Sequence, residues 1–476
     1  MIWFLLCVGI LIAGYFIYGA IIEKIFNPRP ERQTPALAMQ DGVDYVPMSN
    51  AKVWLVQLLN IAGVGPIFGP ILGALYGPVA MLWIVFGCIF AGAVHDYFSG
   101  MLSVRANGAS VPTVVGNHLG TVAKHFMNAF SIILLLLVGV VFVLSPASLL
   151  GDLTSWSVPM WIAIIFGYYI LATVVPVDKI IGRLYPIFGA LLLFMSAGLL
   201  IGLMVSDKPF YSAGIDVFTN MHPTELPLWP LLFITIACGA VSGFHATQSP
   251  LMARCMQNEK HGRFIFYGAM IGEGVIALIW CTLGLSFYES SDALNATLAS
   301  GGPAKVVHEV STSLLGMVGG ALAVLGVVIL PITSGDTAFR SARLIIADFL
   351  KMPQKAISKR MLIALPMFVL GYMITKTDFD VIWRYFGWAN QTTAMMMLWT
   401  AAAYLLRHGK FHWVATVPAM FMTAVCFTYL ANAKIGFNLP MDISTVIGLG
   451  ATVAVTVLFF LKIRRCDKAI VAEQNS

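Results

Sequence analysis

Long apolar stretches alternate with short polar segments along almost the whole chain. Each stretch approaches the roughly 17–25 residues that a helix needs to cross a bilayer. The pattern predicts thirteen spans, of which the tenth is short, with approximate bounds 2–22, 53–75, 79–99, 123–145, 158–176, 184–205, 228–249, 264–288, 314–335, 361–375, 386–406, 411–431 and 443–463. The sequence therefore predicts an all-α, polytopic membrane protein with about thirteen transmembrane helices.

The composition agrees with this pattern. The 476 residues are 59% hydrophobic and only 11% charged, whereas soluble domains carry about 25% charged residues. The net charge of +6 does not indicate nucleic-acid binding, because the placement of these charges matters more than their sum. We expect the lipid bilayer as a partner, and no nucleic acid.

Lysines and arginines are distributed unevenly between the two sides that thirteen spans define. One set of alternate loops, together with the C-terminal tail, holds 23 of the 28 basic residues, and the other set holds 5. Cytoplasmic loops of membrane proteins are enriched in Lys and Arg. The asymmetry predicts an N-terminus outside and a C-terminus in the cytoplasm, for a protein of the cell (inner) membrane.

The uncharged stretch Asn60–Pro78 combines helix-breaking residues with a regular glycine spacing. Glycines stand four residues apart, at Gly65, Gly69, Gly73 and Gly77. Pro66 and Pro70 lie inside the same run, where each removes a backbone donor. An interrupted membrane helix exposes backbone groups to a substrate or ion. Glycines at this spacing also let a second helix approach closely, and the residues alone support both interpretations.

A second predicted interruption lies in span seven, at Ala237–Pro250. It follows the first by five spans and runs in the opposite direction across the membrane. Transporters built from two inverted repeats carry matched breaks of this kind and bind substrate between them. This predicts a peripheral N-terminal segment (1–52), two five-helix repeats (53–227 and 228–406), and two extra helices with a short cytoplasmic tail (407–476).

Substrate-binding residues are expected at the two breaks. The candidates are Asn60, Gly63, Gly65, Pro66, Phe68, Gly69, Gly239, Ser242, Gly243, Phe244, His245 and Gln248. Because an ordinary histidine titrates near neutral pH, His245 would suit proton coupling. A histidine in a helix is also commonly a packed, hydrogen-bonded residue, and neither alternative is favoured.

Span nine ends in a hydroxyl and carboxylate cluster formed by Thr333, Ser334 and Asp336. Together with carbonyls freed at the first break, these oxygens would suit a hard cation such as Na⁺, and a protonatable Asp336 would serve H⁺ equally well. The cluster is therefore predicted to bind the coupling ion. The alternative is a helix-end cap in which Asp336 pairs with Arg340 four residues later.

Three further ionisable residues are candidates for a proton relay or gate. Glu273 lies well inside span eight, where an unpaired carboxylate is costly and indicates a function; pairing with His245 or an arginine would relieve this cost. His95 and Asp96 end span three near the predicted cytoplasmic face. Asp96 belongs either to an inner gate or to a bridge with Arg105.

Sequence signatures of metal, phosphate and hydrolytic sites are absent. The seven cysteines show no metal-binding spacing and are expected to pack in the spans. His308 and Glu309 are not followed by the second histidine of a zinc-protease motif, and there is no Walker A motif. The chain is therefore expected to be no enzyme, and to hold no cofactor or metal except a possible bound Na⁺.

Four motifs in order resemble the carbon starvation protein CstA family. They are DGVDYVP (Asp41–Pro47), IAGVGPIFGPILGALYGP (Ile61–Pro78), AGAVHDYFSGMLSVRANGAS (Ala91–Ser110) and SGFHATQSPLMAR (Ser242–Arg254). The resemblance implies a secondary transporter with a LeuT-like fold that takes up peptides or pyruvate during nutrient limitation. It also implies roles for the family's Gly-Pro, Ser-Gly-Phe-His and Thr-Ser-x-Asp motifs, which fall on Gly65–Pro66, Ser242–His245 and Thr333–Asp336.

Two features depart from the family's pattern. Longer members carry a histidine pair where this chain has Val56 and Gln57, and they extend past its length.

The function predicted is cation-coupled uptake, by H⁺ or Na⁺, of a small solute such as a peptide, an amino acid or pyruvate. A channel or facilitator for a small organic solute is the alternative.

Overall fold

The structure is a computed structural model that describes residues 1–42, 44–174, 177–212, 214, 217–354 and 356–474, with side chains omitted for 177–186 and 463–474. The described chain is helical and contains no strand. Its helices are α1 (Ile2–Phe16), α2 (Tyr18–Phe26), α3 (Pro35–Ala38), α4 (Asn50–Ile61), α5 (Gly65–Gly73), α6 (Val79–Gly87), α7 (Ala93–Arg105), α8 (Val111–Leu119), α9 (Thr121–Leu153), α10 (Val158–Val174), α11 (Val177–Val205), α12 (Leu228–Thr235), α13 (Gly243–Ala253), α14 (Gly268–Phe287), α15 (Ser291–Phe349), α16 (Ile357–Ile374), α17 (Phe379–Arg407), α18 (Trp413–Asn432) and α19 (Met441–Gln474).

The apolar helices make this a multi-pass membrane protein. Within the described residues, nine helical runs are long and apolar enough to cross a bilayer, and the count is ten if the bent pair α4 and α5 forms one span. The 17-residue α10 is a shorter apolar helix. The count of thirteen spans thus stays a prediction. The predicted C-terminal tail continues α19 as far as Gln474.

Both predicted interruptions are present, but the second is shorter than predicted, because residues 243–250 of the predicted stretch belong to α13. Helix α4 ends at Ile61 and α5 begins at Gly65, with a bend of 49° between the two helical segments. Pro66 lies in the first turn of α5, where its missing N–H costs no helical hydrogen bond. The second break separates α12 from α13 and includes Gly239 at φ +88°, a left-handed conformation that favours glycine.

The glycines that follow the first break form a packing surface. A Cβ atom on Gly69 would lie 3.0 Å from the Thr235 carbonyl oxygen, and one on Gly73 would lie 2.3 Å from Ile236 Cδ1. Close approach of this kind requires the absence of a side chain. The two interpretations of Asn60–Pro78 therefore hold for successive parts of the stretch, first a break and then a ridge against the end of α12.

Four segments that are predicted to face the cytoplasm meet in one polar network. The Arg105 guanidinium pairs with the Glu259 carboxylate at 3.1 Å and donates to the Tyr404 hydroxyl. The backbone N–H of Arg29 donates to the same carboxylate at 2.9 Å. Arg105, Glu259 and Arg29 follow spans three, seven and one, and Tyr404 lies at the end of span eleven, so the contacts agree with the predicted alternation of sides.

Segments that are predicted to lie outside also meet. A cavity of about 430 Å³ is lined by the end of α9, by residues 298–304 and by residues 375–380. These segments follow spans four, eight and ten. Phe68 of α5 also lines the cavity, so the cavity reaches the helix that follows the first break.

Candidate transport site

Helices α7, α13 and α14 bring four ionisable side chains into one series (His95, Asp96, His245 and Glu273). The nitrogen His95 Nδ1 lies 2.8 Å from Asp96 Oδ1, and His245 Nδ1 lies 2.9 Å from Asp96 Oδ2. The other ring nitrogen of His245, Nε2, lies 3.3 Å from Glu273 Oε2. All four side chains have an exposed fraction of 0%, so the series is shielded from solvent.

The local sequence explains how the series is positioned. A π-helical turn at Cys88–Gly92 directly precedes α7, and such turns re-aim the side chains that follow and often occur at functional sites. His245 is the third residue of α13, immediately after the second break. Ser249 accepts a hydrogen bond from Ser99 at 3.0 Å and donates to the His245 carbonyl at 3.0 Å, which joins α13 to α7.

The arrangement suits transfer of a proton between carboxylates. His245 lies between Asp96 and Glu273, and each ring nitrogen faces one carboxylate. An isolated charge in a low-dielectric interior is costly, so these groups are stabilised when their charges compensate each other. A proton that moves along the series, or leaves it, therefore changes the net charge beside the second break.

The pairing of His245 with Glu273 confirms one of the partners that the sequence allowed. The proposed bridge between Asp96 and Arg105 is wrong, since Asp96 contacts the two histidines while Arg105 pairs with Glu259. The sequence could not decide between this bridge and a gate role for Asp96. Asp96 and Arg105 lie nine residues apart on α7, and which neighbours each one faces depends on how α7 packs.

The start of α13 is held by a residue that the sequence interpretation missed. The side-chain oxygen of Asn390, on α17, accepts from the Phe244 backbone N–H at 2.7 Å and from the Ser242 hydroxyl at 3.1 Å. It satisfies a backbone donor that the break leaves free. The signal was present as the polar run Asn390–Thr393 inside an apolar span.

Several candidate glycines are close-packing positions. A Cβ atom on Gly63 would lie 2.5 Å from Phe142 Cζ, and one on Gly65 would lie 2.3 Å from Cys238 Sγ. At Gly239 the neighbour is Ala277 Cβ at 2.4 Å, and at Gly243 it is the Asn390 carbonyl oxygen at 2.2 Å. These positions let the broken helices approach their neighbours, so their structural role is independent of any substrate.

The remaining candidates at the breaks are buried polar or apolar side chains. Asn60, His245 and Gln248 each have an exposed fraction of 0%. Gln248 donates to Thr247 Oγ1 at 3.1 Å, and its own side-chain oxygen has no hydrogen-bond partner among the described residues. Their role in binding substrate stays a prediction.

The predicted coupling-ion residues are not brought together. The hydroxyl of Ser334 donates to the Leu59 carbonyl at 3.0 Å, just before the first break. Thr333 donates to Leu330 of its own helix at 2.8 Å. Asp336 lies 3.8 Å from Arg340, which matches the helix-end pairing that was the alternative. Only Ser334 therefore contacts a backbone oxygen next to the break.

Comparison with known proteins finds one family and several membrane proteins, two of which are named as transporters. A family model described as "Carbon starvation protein CstA" matches residues 1–157, 142–295 and 289–429. An uncharacterized membrane protein of Haemophilus influenzae is 56% identical over 63% of this chain and 95% of its own length. The peptide transporter CstA of Campylobacter jejuni is 26% identical over 87% of this chain and 77% of its own. The pyruvate/proton symporter BtsT of Escherichia coli is 27% identical over 57% of this chain and 47% of its own.

A solved structure shares the fold. It is that of Mhp1, a nucleobase-cation-symport-1 family transporter, in a closed conformation with bromovinylhydantoin bound. The match has a TM-score of 0.53 and 14% identity, and it covers 89% of this chain and 96% of that one. The relatives that carry a functional name are transporters, and the chain shares the fold of Mhp1.

Proposed function

The chain belongs to the carbon starvation protein CstA family, and from this premise we propose that it is a proton-coupled secondary active transporter. The observation that carries the proposal is the buried series His95, Asp96, His245 and Glu273, which ends beside the second break. Intramembrane carboxylates and histidines in contact are typical of proton relays in transporters. The proposed solute is a peptide, an amino acid or pyruvate, imported during nutrient limitation.

The proposed architecture is a core of two inverted five-helix repeats. The first repeat comprises residues 53–227 and the second comprises 228–406, with residues 1–52 peripheral and 407–476 added at the end. The matched breaks after Ile61 and Thr235 support this layout, as does the likeness in fold to a known transporter. The charge asymmetry supports an N-terminus outside and a cytoplasmic C-terminus in the inner membrane.

Substrate is proposed to bind between the breaks, near Asn60, Gln248 and the first turn of α5. Free backbone donors at a half-helix N-terminus favour a carboxylate. Solute reaches this region through the cavity of about 430 Å³ that Phe68 lines. Protonation of Glu273 or His245 would remove or shift charge beside the second break, which couples the occupied state to the proton gradient.

Uptake by reconstituted protein tests this proposal. In proteoliposomes we expect an inward proton gradient, without a sodium gradient, to drive accumulation of pyruvate, an amino acid or a short peptide at least tenfold above liposomes with dissipated gradients. Radiolabelled uptake measures the effect. No gradient-driven uptake of any of these solutes would contradict the transport proposal. A facilitator predicts equilibration without accumulation, and a channel predicts flux that no opposing gradient stalls.

The choice of ion is tested in the same liposomes. The contact between Ser334 and the Leu59 carbonyl is the one observation that favours Na⁺, because a hydroxyl and a freed carbonyl are ligands that hard cations prefer. For a proton-coupled carrier we expect Ser334→Ala and Asp336→Asn to retain proton-driven uptake within about threefold. Accumulation driven by a sodium gradient alone, and lost in Ser334→Ala, would instead establish Na⁺ as the coupling ion.

A further inference from the structure

Beside the second break, three side chains of metal-binding type converge, two of them from the break and the start of α13 and the third from α14. The Cys238 sulfur, one ring nitrogen of His245 and one carboxylate oxygen of Glu273 lie within 4.8 Å of one another, and all three residues are buried. Because His245 Nδ1 is engaged by Asp96, the nitrogen that faces the group is Nε2. We propose that these three residues form a site for a divalent transition-metal ion of the zinc type.

Polar atoms without a well-formed hydrogen bond point to a ligand at this position. His245 Nε2 and both carboxylate oxygens of Glu273 make no hydrogen bond of good geometry among the described residues, although Nε2 and Oε2 form an ion-pair contact at 3.3 Å. Both side chains have an exposed fraction of 0%. Buried polar atoms without partners are uncommon and require an explanation such as an ion or water. A bound cation satisfies all three atoms at once.

The distances suit a tetrahedral ion. Zinc takes nitrogen and oxygen ligands at about 2.0–2.2 Å and thiolate sulfur at about 2.3 Å. Two ligands at about 2.05 Å are separated by roughly 3.3 Å in a tetrahedron, and His245 Nε2 lies 3.3 Å from Glu273 Oε2. The sulfur, which lies within 4.8 Å of these atoms, closes in by a side-chain movement of Cys238.

The surroundings of the site provide the features that support metal ligands. Asp96 contacts His245 Nδ1 at 2.9 Å, and a carboxylate at the second ring nitrogen orients a metal-bound histidine. The Asn390 amide donates to Cys238 Sγ at 3.9 Å, and the Cys238 thiol donates to the Ser242 hydroxyl at 3.4 Å, so the sulfur is oriented by two polar neighbours. A thiolate, a carboxylate and a divalent ion sum to zero charge, so their burial together avoids the cost of an isolated charge.

A metal ion at this site would act on transport. It would occupy the proton-accepting atoms of His245 and Glu273 and join the second break to α14. The Cys238 sulfur also lies against Gly65, where a Cβ atom would be 2.3 Å from it, so the ion would reduce relative movement of both breaks. We therefore expect zinc to inhibit uptake, and this arm of the inference rests on the proposed transport function.

Cobalt absorption tests the site without any assumption about transport. Purified, chelator-stripped protein is titrated with Co²⁺, and we expect about one equivalent to produce a thiolate-to-cobalt charge-transfer band. Cys238→Ser should lack this band, because serine removes the sulfur and keeps a small polar side chain. Cys281→Ser is the matched control, since Cys281 is another buried free cysteine, and it should retain the band.

Inhibition of uptake by zinc is the second test of the site. In proteoliposomes, Cys238→Ser should need at least tenfold more Zn²⁺ than the wild type for half-inhibition, while Cys281→Ser stays within about twofold. Absence of the cobalt band in the wild type, or an unchanged band in Cys238→Ser, overturns the site. A cobalt band in protein that transports none of the tested solutes would leave the site standing and contradict the transport proposal alone.

Discussion

Glu273→Gln is expected to lower proton-driven accumulation at least tenfold and to leave exchange of substrate between the two faces largely intact. Glutamine has nearly the same shape as glutamate, but it neither accepts nor releases a proton near neutral pH. Glu273 has an exposed fraction of 0% and lies 3.3 Å from His245 Nε2, so bulk water does not replace its function. Uptake under an imposed pH gradient and counterflow exchange at equal pH measure the two activities separately.

A carboxylate outside the site provides the control for this result. Glu309 pairs with Lys305 at 3.8 Å, and the two side chains are 38% and 42% exposed. Exposed ion pairs contribute little to stability, so Glu309→Gln should keep both activities. Full proton-driven accumulation by Glu273→Gln, at normal protein levels, would show that the proton does not pass through this series.

Gly243→Ala is expected to destabilise the folded protein and to remove most of its transport activity. The added methyl group would lie 2.2 Å from the Asn390 carbonyl oxygen and 2.5 Å from the Ala394 backbone nitrogen. Both are backbone atoms of a packed helix, so relief requires α13 to move away from α17. Overpacking of this kind costs about 1–3 kcal/mol, which a lower apparent melting temperature in detergent would show.

Displacement of α13 would also act on the site itself. It would pull the Phe244 N–H away from Asn390, at 2.7 Å in the structure, and shift His245 relative to Glu273. Gly167→Ala is the matched control, because a Cβ atom there would meet nothing within 4 Å and alanine is the better helix former by about 1 kcal/mol. An unchanged melting temperature for Gly243→Ala would show that α13 is not held tightly against α17.

The breaks and the general class of the protein could be predicted from local sequence. Proline removes a backbone donor wherever it stands, and Gly239 favours the left-handed conformation that it adopts. Likewise, a long apolar stretch belongs in a bilayer whatever its neighbours are. These properties depend on a residue and its immediate neighbours in sequence, so they could be predicted without knowledge of the tertiary structure.

The partners of the site residues could not be predicted in this way. Ser334 and Asp336 are two positions apart in sequence, but successive helical residues are rotated by about 100°, so they face nearly opposite directions. Ser334 reaches the Leu59 carbonyl and Asp336 pairs with Arg340. The hydroxyl and carboxylate of the Thr-Ser-x-Asp motif therefore have different partners in the structure, although they are close in sequence.

By itself, the sequence determined a multi-pass helical membrane protein with two matched interruptions and the motifs of one transporter family. Only the tertiary structure decided that His245 lies between Asp96 and Glu273, that Asn390 holds the second break, and that Cys238 faces the same point. The physical reason is the range of the interactions. Backbone breaks follow from local sterics, whereas contacts between distant helices depend on how their faces pack across the membrane.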